Sequence, residues 1–600
     1  MKKLRAILCI VLALSMVLVF AACSKDSDSG SGTESGKSGG AKIVKEDATS
    51  ASAGKPNSSA GTSSGSSDSS SSDSETTAPA SAPEGTADVP ADQLPDPNMT
   101  STALHMFSNL EEYYNRPHEI EKGSSIRLLA TNDVPAYTPW NATAETWMLP
   151  NVYEGLLWSY MGQVTDIRPL IAESYTVSDD YLTWTFKIRE GIKFTDGTVC
   201  DAPAIEKAWD FYNQASPASF NNVHLVEWKA TGDYEFVARL SSPCSYFANT
   251  VTRLYILSPT AMEQYGVNDN RSAIGTAPYY ISSYTTGVEF IFTANPDYYY
   301  YDRMPVIETV HFSIINDNTT KLMAMVNGDI DGYAFRALES YYYLMEHDFD
   351  GTLLMSNGNC DPLFLNPKTV PEFMHFEVRK AMNRFIDFEG INNLMYDGMG
   401  LVQKSMWTVG SSGEVPFDGF YYDPDEGLEL MAQAGIDPKS MTFAAKIIDT
   451  AGDFFVTIQG QLDKVGIKMD VEPLEPEANF TFLKNGDWTI TCGNSGYADS
   501  SPYGPWTFIL LPEHLIRECW QDLYDPELYD KMKEEYNAMT SAPTWDEMLE
   551  HCHQLTKYQQ EDFAGQNGIQ PPYFAAYSKD VKDIVIITEN HVLLLYYLYY

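Results

Sequence analysis

The sequence has few basic residues, and it contains no Cys-x-x-Cys motif. Its 600 residues include 39 Lys and Arg against 82 Asp and Glu, which gives a formal net charge of −43. This shortage argues against a nucleic-acid partner, because phosphate backbones are bound through Lys and Arg. It also disfavours adsorption to an anionic membrane surface. Eight cysteines without a Cys-x-x-Cys pair argue against a disulfide-dense scaffold or a zinc ribbon.

Motifs of catalysis and of metal binding are also lacking. Residues 121–600 contain no HExxH, GxSxG or P-loop motif, so we expect no enzyme and no cofactor. Asn327 to Asp331 reads like the start of a calcium loop, but the twelfth position is Leu338 instead of Glu. His551 and His553 lie two apart on a predicted helix and do not share a face. We therefore expect no metal site.

What the sequence does have at its start is an export signature. A basic MKKLR precedes the apolar run AILCIVLALSMVLVFAA, the layout of a signal peptide over residues 1–22. Phe20 to Cys23 resembles a bacterial lipobox, in which the cysteine is lipidated and becomes the new N-terminus, although Phe20 stands where Leu is usual. A permanent anchor helix is the alternative. We expect Cys23 to tie the protein to the extracellular face of the cell membrane.

Residues 23–120 follow the signal as a lipidated cysteine and a tether. From Ser24 to about Pro97 the chain is Ser, Gly, Asp, Thr, Ala and Pro, a composition that cannot offset its chain entropy by apolar burial. Such a segment of about 75 residues has a root-mean-square reach of roughly 45–50 Å. We therefore expect a globular body held on a flexible leash.

The body changes character along its length. Leu182, Trp184 and Phe186 alternate with polar residues, which predicts a half-buried strand in a strand-rich first half. After Asn366, helical periods alternate with strands, which predicts an α/β second half. The run ETWMLPNVYEGLLW over 145–158 predicts a helix disturbed by Pro150.

Several short segments, spread in a fixed order along about 450 residues, resemble one family, the extracellular family 5 solute-binding proteins of peptide-type ABC importers. They include VYEGLL at 152–157, PLIAESYTVSDDYLTWTFKIREGIKFTDGT at 169–198, GTAPYYISSY at 275–284, FTANPDYY at 292–299, ETVHFSIINDNTTKLMAMVNGDID at 308–331, FEVRKAMNRFID at 376–387, YYDPDEGLELMAQAG at 421–435 and QLDKVGIKMDVEPL at 461–474.

The resemblance implies an α/β, two-lobed periplasmic-binding-protein-like fold with a ligand cleft between the lobes. The first lobe would be 121–355, with an extra subdomain at about 163–275. The second lobe would be 356–567, and 568–600 would return to the first lobe. The implied partners are a peptide or small-molecule ligand, an ABC permease and its ATPase, and the implied state is a monomer.

The resemblance also implies a ligand-pairing Asp in a loop of the second lobe. The equivalent loop is TCGNSGYADSSPYGPWTF at 491–508, where Asp499 would pair with an ammonium group, because a buried unpaired charge is costly. The alternative is that Asp499 caps a turn with Ser500 and Ser501. This loop is shorter than in peptide binders and lacks their second Asp-Pro, which leaves peptide specificity open.

Further candidates follow from position in the chain, and for each the alternative is packing. They are Tyr497 and Trp506 near the Asp loop, and Thr131, Asn132, Trp140 and Tyr153 near the first strand. Cys360 and Cys492 could form a disulfide outside the cell.

The function implied is an extracellular substrate-binding lipoprotein that delivers peptides or a similar solute to a permease. An oligosaccharide-binding or signalling receptor of the same fold remains an alternative, as does a tethered wall hydrolase, which needs a pair of acidic residues about 5–9 Å apart.

Overall fold

The computed structural model describes a folded body and leaves out the predicted signal peptide, Cys23 and most of the tether. The described residues are 116–130, 137–140, 149–159, 166–315, 317–335, 337–355, 361–405, 407, 409, 412–415, 417–448, 451–492, 506, 526–562, 567–581, 586–587, 592–593, 595 and 598.

The strands in these residues, in chain order, are β1 (Glu121–Ala130), β2 (Leu157–Ser159), β3 (Ile167–Pro169), β4 (Ala172–Val177), β5 (Thr183–Ile188), β6 (Leu225–Ala230), β7 (Glu235–Leu240), β8 (Tyr279–Thr285), β9 (Glu289–Ala294), β10 (Ile307–Ile314), β11 (Gly332–Phe335), β12 (Asp350–Met355), β13 (Asp361–Leu365), β14 (Leu401–Gln403), β15 (Thr442–Ile448), β16 (Lys468–Leu474), β17 (Ile490–Cys492), β18 (Gly568–Gln570), β19 (Pro572–Tyr577), β20 (Ile586–Ile587) and β21 (Val592–Leu593).

The helices, in chain order, are α1 (Leu149–Val152), α2 (Ala202–Ala215), α3 (Pro217–Asn221), α4 (Phe247–Val251), α5 (Pro259–Tyr265), α6 (Asn318–Val326), α7 (Leu338–Glu346), α8 (Phe376–Phe385), α9 (Phe388–Tyr396), α10 (Pro424–Gln433), α11 (Gly452–Val465), α12 (Pro476–Lys484), α13 (Pro526–Thr540) and α14 (Trp545–Lys557). No helix among the described residues has the length and apolar composition needed to cross a bilayer.

The first lobe is built on a sheet ordered β12-β19-β11-β1-β10-β9-β8. Its central strand β1 runs parallel to β10 on one side and to β11 on the other. Apolar residues of β1 alternate between two cores: Ile126 and Leu128 belong to the larger one, and Leu129 packs under α6 and α7 with Leu344. This alternation is what a sheet covered on both faces requires.

The extra subdomain carries a second antiparallel sheet, ordered β4-β5-β7-β6. The predicted alternation in β5 is confirmed, since Trp184 and Phe186 are buried in the larger core of the first lobe. Helix α2 begins where the side chain of Asp201 accepts a hydrogen bond from Ala204 N, with a proline in its first turn. Helix α2 then buries Trp209 against Phe236 of β7.

The junction of the subdomain with the first sheet needs two glycines. A Cβ on Gly155 would lie 2.3 Å from Val251 O, and one on Gly275 would lie 2.0 Å from Val152 O. The predicted helix over 145–158 is confirmed over Leu149–Val152 and wrong beyond it, because α1 ends at Val152 and Glu154 instead forms a β-bridge with Ile256. Close backbone approach at these glycines takes the place of a continuing helix.

The second lobe has a sheet ordered β14-β18-β13-β17 and a parallel pair, β15 and β16. Helices α8 to α11 cover one face, where Leu363 and Leu365 of β13 are buried. The intervening Phe364 points to a separate core with Trp407, Trp488 and residues of α13 and α14. Both faces of this sheet are therefore covered.

The end of the chain returns to the first lobe. Strand β18 still pairs with β13 and β14 in the second lobe, whereas β19 pairs with β11 and β12 in the first. The return therefore falls at Pro571, between these strands, where the prediction placed it at 568. Farther on, Leu595 and Leu598 are fully buried in the larger core, and Leu595 N donates to Asn151 Oδ1 over 2.8 Å.

Candidate ligand-binding site

The carboxyl ends of four strands meet at one edge of the first sheet. Strands β10 and β11 are parallel to β1, and β12 has the same direction because both it and β11 are antiparallel to β19. The chain leaves β12 for β13 from this edge and re-enters along β19. In open α/β sheets, ligands bind outside the carboxyl ends of the strands, where the strand order reverses. Here the order reverses beside β1.

The second sheet presents a matching edge. Strand β17 is antiparallel to β13, with Cys492 opposite Leu363 and Ile490 opposite Leu365. The carboxyl end of β17 therefore lies beside the amino end of β13, where the chain enters this lobe. The candidate site is the region between this edge and the carboxyl edge of the first sheet.

Four residues that were predicted to contact the ligand follow strands that end at these two edges. Thr131 and Asn132 come directly after β1, and Tyr497 and Asp499 lie in the segment that follows β17. All four lie outside the described residues, as does Cys360 of the predicted disulfide. Their roles stay predictions, and the strand directions are what support them.

Two aromatic residues that were predicted to contact the ligand, Trp140 and Tyr153, donate hydrogen bonds to other residues of the first lobe. Trp140 is half-buried, and its Nε1 donates to Val267 O over 3.1 Å and to Asn268 Oδ1 over 3.2 Å. Tyr153 is 1% exposed and donates from its hydroxyl to Tyr137 O over 3.0 Å. Burial raises the pKa of Tyr153, so the phenol stays neutral.

Trp506 lies in the interior of the second lobe. Its side chain is fully buried in the core that contains Phe364, Trp407 and Trp488. The structure thus gives Trp506 a packing position, which was the alternative weighed for all these rings, and ligand contact by Trp506, Trp140 or Tyr153 stays a prediction.

Sequence reasoning missed a buried carboxylate beside Tyr153. The Oε1 atom of Glu154 accepts from Arg303 Nη1 over 2.8 Å and from the Tyr298 hydroxyl over 2.7 Å. Its Oε2 atom accepts from the hydroxyls of Thr276, over 2.8 Å, and Tyr299, over 2.9 Å. The sequence signal that could have revealed this carboxylate is a charged residue inside the apolar segment VYEGLL. Four donors satisfy this carboxylate, so it fastens the junction of the subdomain and is not an open binding group.

The calcium-like word at 327–331 has a structural role. Asp331 accepts from Arg127 N over 2.8 Å, and Arg127 Nη2 donates to Asp331 Oδ1 over 2.7 Å. Asp331 O also accepts from Ser578 N, so one residue ties β1, β11 and the end of β19 together. Among the described residues there is no group of three or more His, Cys, Asp and Glu side chains that could hold a metal ion.

The side chains of the His-Cys-His motif on α14 have three different sets of neighbours. His551 Nδ1 lies 2.6 Å from Glu535 Oε2 on α13, and His553 Nε2 lies 2.7 Å from Ser412 O. Cys552 between them is buried in the core beneath α14. Each of the three side chains therefore contacts a different part of the protein around α14.

Two lobes, two chain crossings and strand ends gathered at the crossings define a two-lobed solute-binding protein. Residues 166–513 match the family described as bacterial extracellular solute-binding proteins, family 5 Middle. This match covers more than half of the chain, and the chain belongs to that family.

Curated proteins with a similar sequence include glutathione-binding proteins. The chain is 26% identical over 351 residues to the glutathione-binding protein GsiB of Shigella flexneri serotype 5b, an alignment that covers 56% of this chain and 66% of that relative. The chain thus spans just under two thirds of the length of the curated relatives it matches.

Solved structures show the same fold at lower identity. NikA from Brucella suis, in complex with Fe(III)-EDTA, superposes with a TM-score of 0.70 at 18% identity, covering 79% of this chain and 99% of that one. A dipeptide-binding protein from Pseudoalteromonas sp. SM9913, in complex with Met-Leu, superposes with a TM-score of 0.68 at 19% identity, covering 79% and 99%.

Proposed function

We propose that this chain is the lipid-anchored substrate-binding protein of an ABC importer, which captures short peptides or peptide-like solutes outside the cell and delivers them to a membrane permease. The observation that carries the proposal is the meeting of β1, β10, β11 and β12 at the edge where the chain crosses between lobes. The names of the relatives favour peptides as ligands, since one binds glutathione and another was solved with a dipeptide.

In this proposal Asp499 pairs with the ammonium group of the ligand, and Thr131 and Asn132 contribute from the opposite lobe. The role is binding, and the energy for uptake comes from the ATPase of the importer. Closure on a ligand stabilises the folded protein by mass action, so a ligand at 100 times its Kd raises the free energy of unfolding by about 2.7 kcal/mol.

A thermal-shift screen of the full chain tests the proposal. Pools of dipeptides, tripeptides and glutathione are compared with pools of oligosaccharides and of free amino acids. A rise in Tm with peptide pools supports the proposal, and a rise with oligosaccharides alone assigns the sugar-binding alternative. No shift with any pool, together with turnover of a wall polymer, contradicts it in favour of the hydrolase.

The Asp499 contact has a sharper test, a cycle of two changes. Asp499→Asn removes the carboxylate, and N-acetylation of the best peptide removes the ammonium. We expect each change alone to weaken binding at least 30-fold and the two together to weaken it little further, because both remove one ion pair. Equal affinity of Asp499→Asn and the unchanged protein for the free peptide would show that Asp499 caps a turn instead.

Lipidation is tested separately in the native host. We expect Cys23→Ala to lose incorporation of a labelled fatty acid and to appear in the medium, while Cys9→Ala, the other cysteine of the leader, keeps the label. Continued labelling of Cys23→Ala contradicts the lipobox assignment.

A further inference from the structure

The extra subdomain of the first lobe touches the second lobe through residues outside the chain crossings. His224, just before β6, places its Nε2 3.0 Å from Thr540 O at the end of α13. Ser245, just before α4, donates from its backbone N to Ala542 O over 3.0 Å. The contact therefore includes two polar links to the short corner between α13 and α14.

The corner is also joined to both lobes by one aromatic ring. Trp545, the first residue of α14, packs against the large core of the first lobe and against the core of the second lobe that contains Trp407. His224 itself has φ = 58°, a left-handed conformation that costs a non-glycine residue about 1–2 kcal/mol. The structure thus holds a strained backbone where it aims this ring at the other lobe.

The position of the contact makes it sensitive to opening of the lobes. The chain crosses between lobes at β12 and β19, whereas it leaves the subdomain into β8, the last strand at the other end of the first sheet. Five strand spacings separate β19 from β8, about 24 Å at 4.8 Å each. A point at a radius of about 24 Å moves by about 2 Å in a rotation of about 5°, which is enough to break a hydrogen bond.

We propose that the corner between α13 and α14 is a latch, which closes on His224 and Ser245 when the lobes close and releases them when the lobes open. The latch rests on the proposed function in one respect, that a solute-binding protein must open and close. It favours the closed state without touching the solute, so its residues set affinity from outside the cleft.

A cross-link between the two sides tests the latch. The backbone hydrogen bond of 3.0 Å from Ser245 N to Ala542 O brings these two residues side by side, so a pair of cysteines at these positions can test whether a disulfide spans them. The test protein is the full chain with Ser245→Cys and Ala542→Cys. The adjacent Cys244 will not compete, because burial raises the pKa of its thiol to about 12.

The matched control places a disulfide within the subdomain. Thr176 of β4 and Thr185 of β5 are directly opposite each other, so Thr176→Cys with Thr185→Cys adds a bridge that does not join the lobes. Disulfides are located by mass spectrometry of proteolytic fragments. Hydrogen exchange of the 540–545 corner is then compared in the oxidised and reduced proteins.

The latch predicts that the first pair oxidises and that oxidation slows exchange of the corner at least 10-fold, while the control pair leaves exchange unchanged. His224→Gly, which keeps a left-handed backbone and removes the ring, should speed exchange of the corner about 5-fold. The latch is overturned if the first pair does not cross-link, or if the reduced protein exchanges as slowly as the oxidised one, because the contact is then permanent. Neither readout needs a solute, so a failure of peptide binding would leave the result on the latch intact.

Discussion

The buried pair of Glu154 and Arg303 makes a strong prediction about stability. Glu154→Gln keeps the shape of the side chain and removes its charge, while Arg303 stays protonated with a side chain only 4% exposed. The amide also turns one acceptor oxygen of Glu154 into a donor nitrogen. Two of the four hydrogen bonds to this carboxylate therefore lose their acceptor.

The magnitude follows from those two lost bonds. A hydrogen bond to a charged group contributes about 1.5–3 kcal/mol, so the loss amounts to about 3–6 kcal/mol. Breaking a buried ion pair by removing one partner costs about 3–5 kcal/mol in general, which agrees. We expect Glu154→Gln to lower the free energy of unfolding by about 4 kcal/mol. Adding Arg303→Met should restore at least half, because no unpaired charge then remains buried.

Urea denaturation followed by tryptophan fluorescence measures the effect, and Trp158 is a local reporter because the Arg303 guanidinium lies 5.1 Å from its ring. Glu173→Gln is the control, since Glu173 pairs with Lys187 at 2.9 Å where both side chains are largely exposed. Such surface pairs contribute less than about 1 kcal/mol. If Glu154→Gln costs no more than Glu173→Gln, the buried network does not stabilise the junction and the reasoning is refuted.

Three further predictions concern packing and burial. Gly275→Ala should cost about 2–4 kcal/mol, because its Cβ meets Val152 O at 2.0 Å, whereas Gly232→Ala, with open space around it, should change unfolding by less than 0.5 kcal/mol. Burial lowers the pKa of Lys321, so this side chain by itself makes the free energy of unfolding rise with pH toward about 10.4, whereas buried thiols such as Cys244, whose pKa burial raises, act in the opposite sense. The stability difference between Lys321→Met and the unchanged protein should therefore be smaller in denaturation at pH 10 than at pH 7, and an equal difference at both pH values would exclude titration of Lys321. Deleting 592–600 removes two fully buried leucines and should cost about 3–6 kcal/mol, while an unchanged denaturation midpoint would show that the tail does not contribute.

Local pattern predicted much of this architecture from the sequence. The period-two run of β5 and the alternation of helices and strands after Asn366 both appear in the structure, as the residues indicated. The resemblance to the solute-binding family supplied the order of the lobes, which local pattern does not contain.

Long-range partners explain what was missed. Glu154 meets Thr276 and Arg303 across 122 and 149 residues, and His224 meets Thr540 across 316. No local period encodes such pairings, so Glu154 falls inside an apolar segment, and nothing in the local pattern singles out His224. The helix expected over 145–158 stops at Val152 for the same reason, since Glu154 pairs with Ile256, about 100 residues away in the chain.

Pro571 and Pro572 stand together where the chain passes from β18 to β19, with Pro571 as the single residue between the strands. Their rings hold φ near −65°, and the residue before each proline is itself restricted, so this strap bends almost entirely through ψ torsions. This crossing therefore has fewer soft torsion angles than an ordinary connection of the same length. Little conformational entropy is therefore lost in holding the two sheets in one orientation at this crossing.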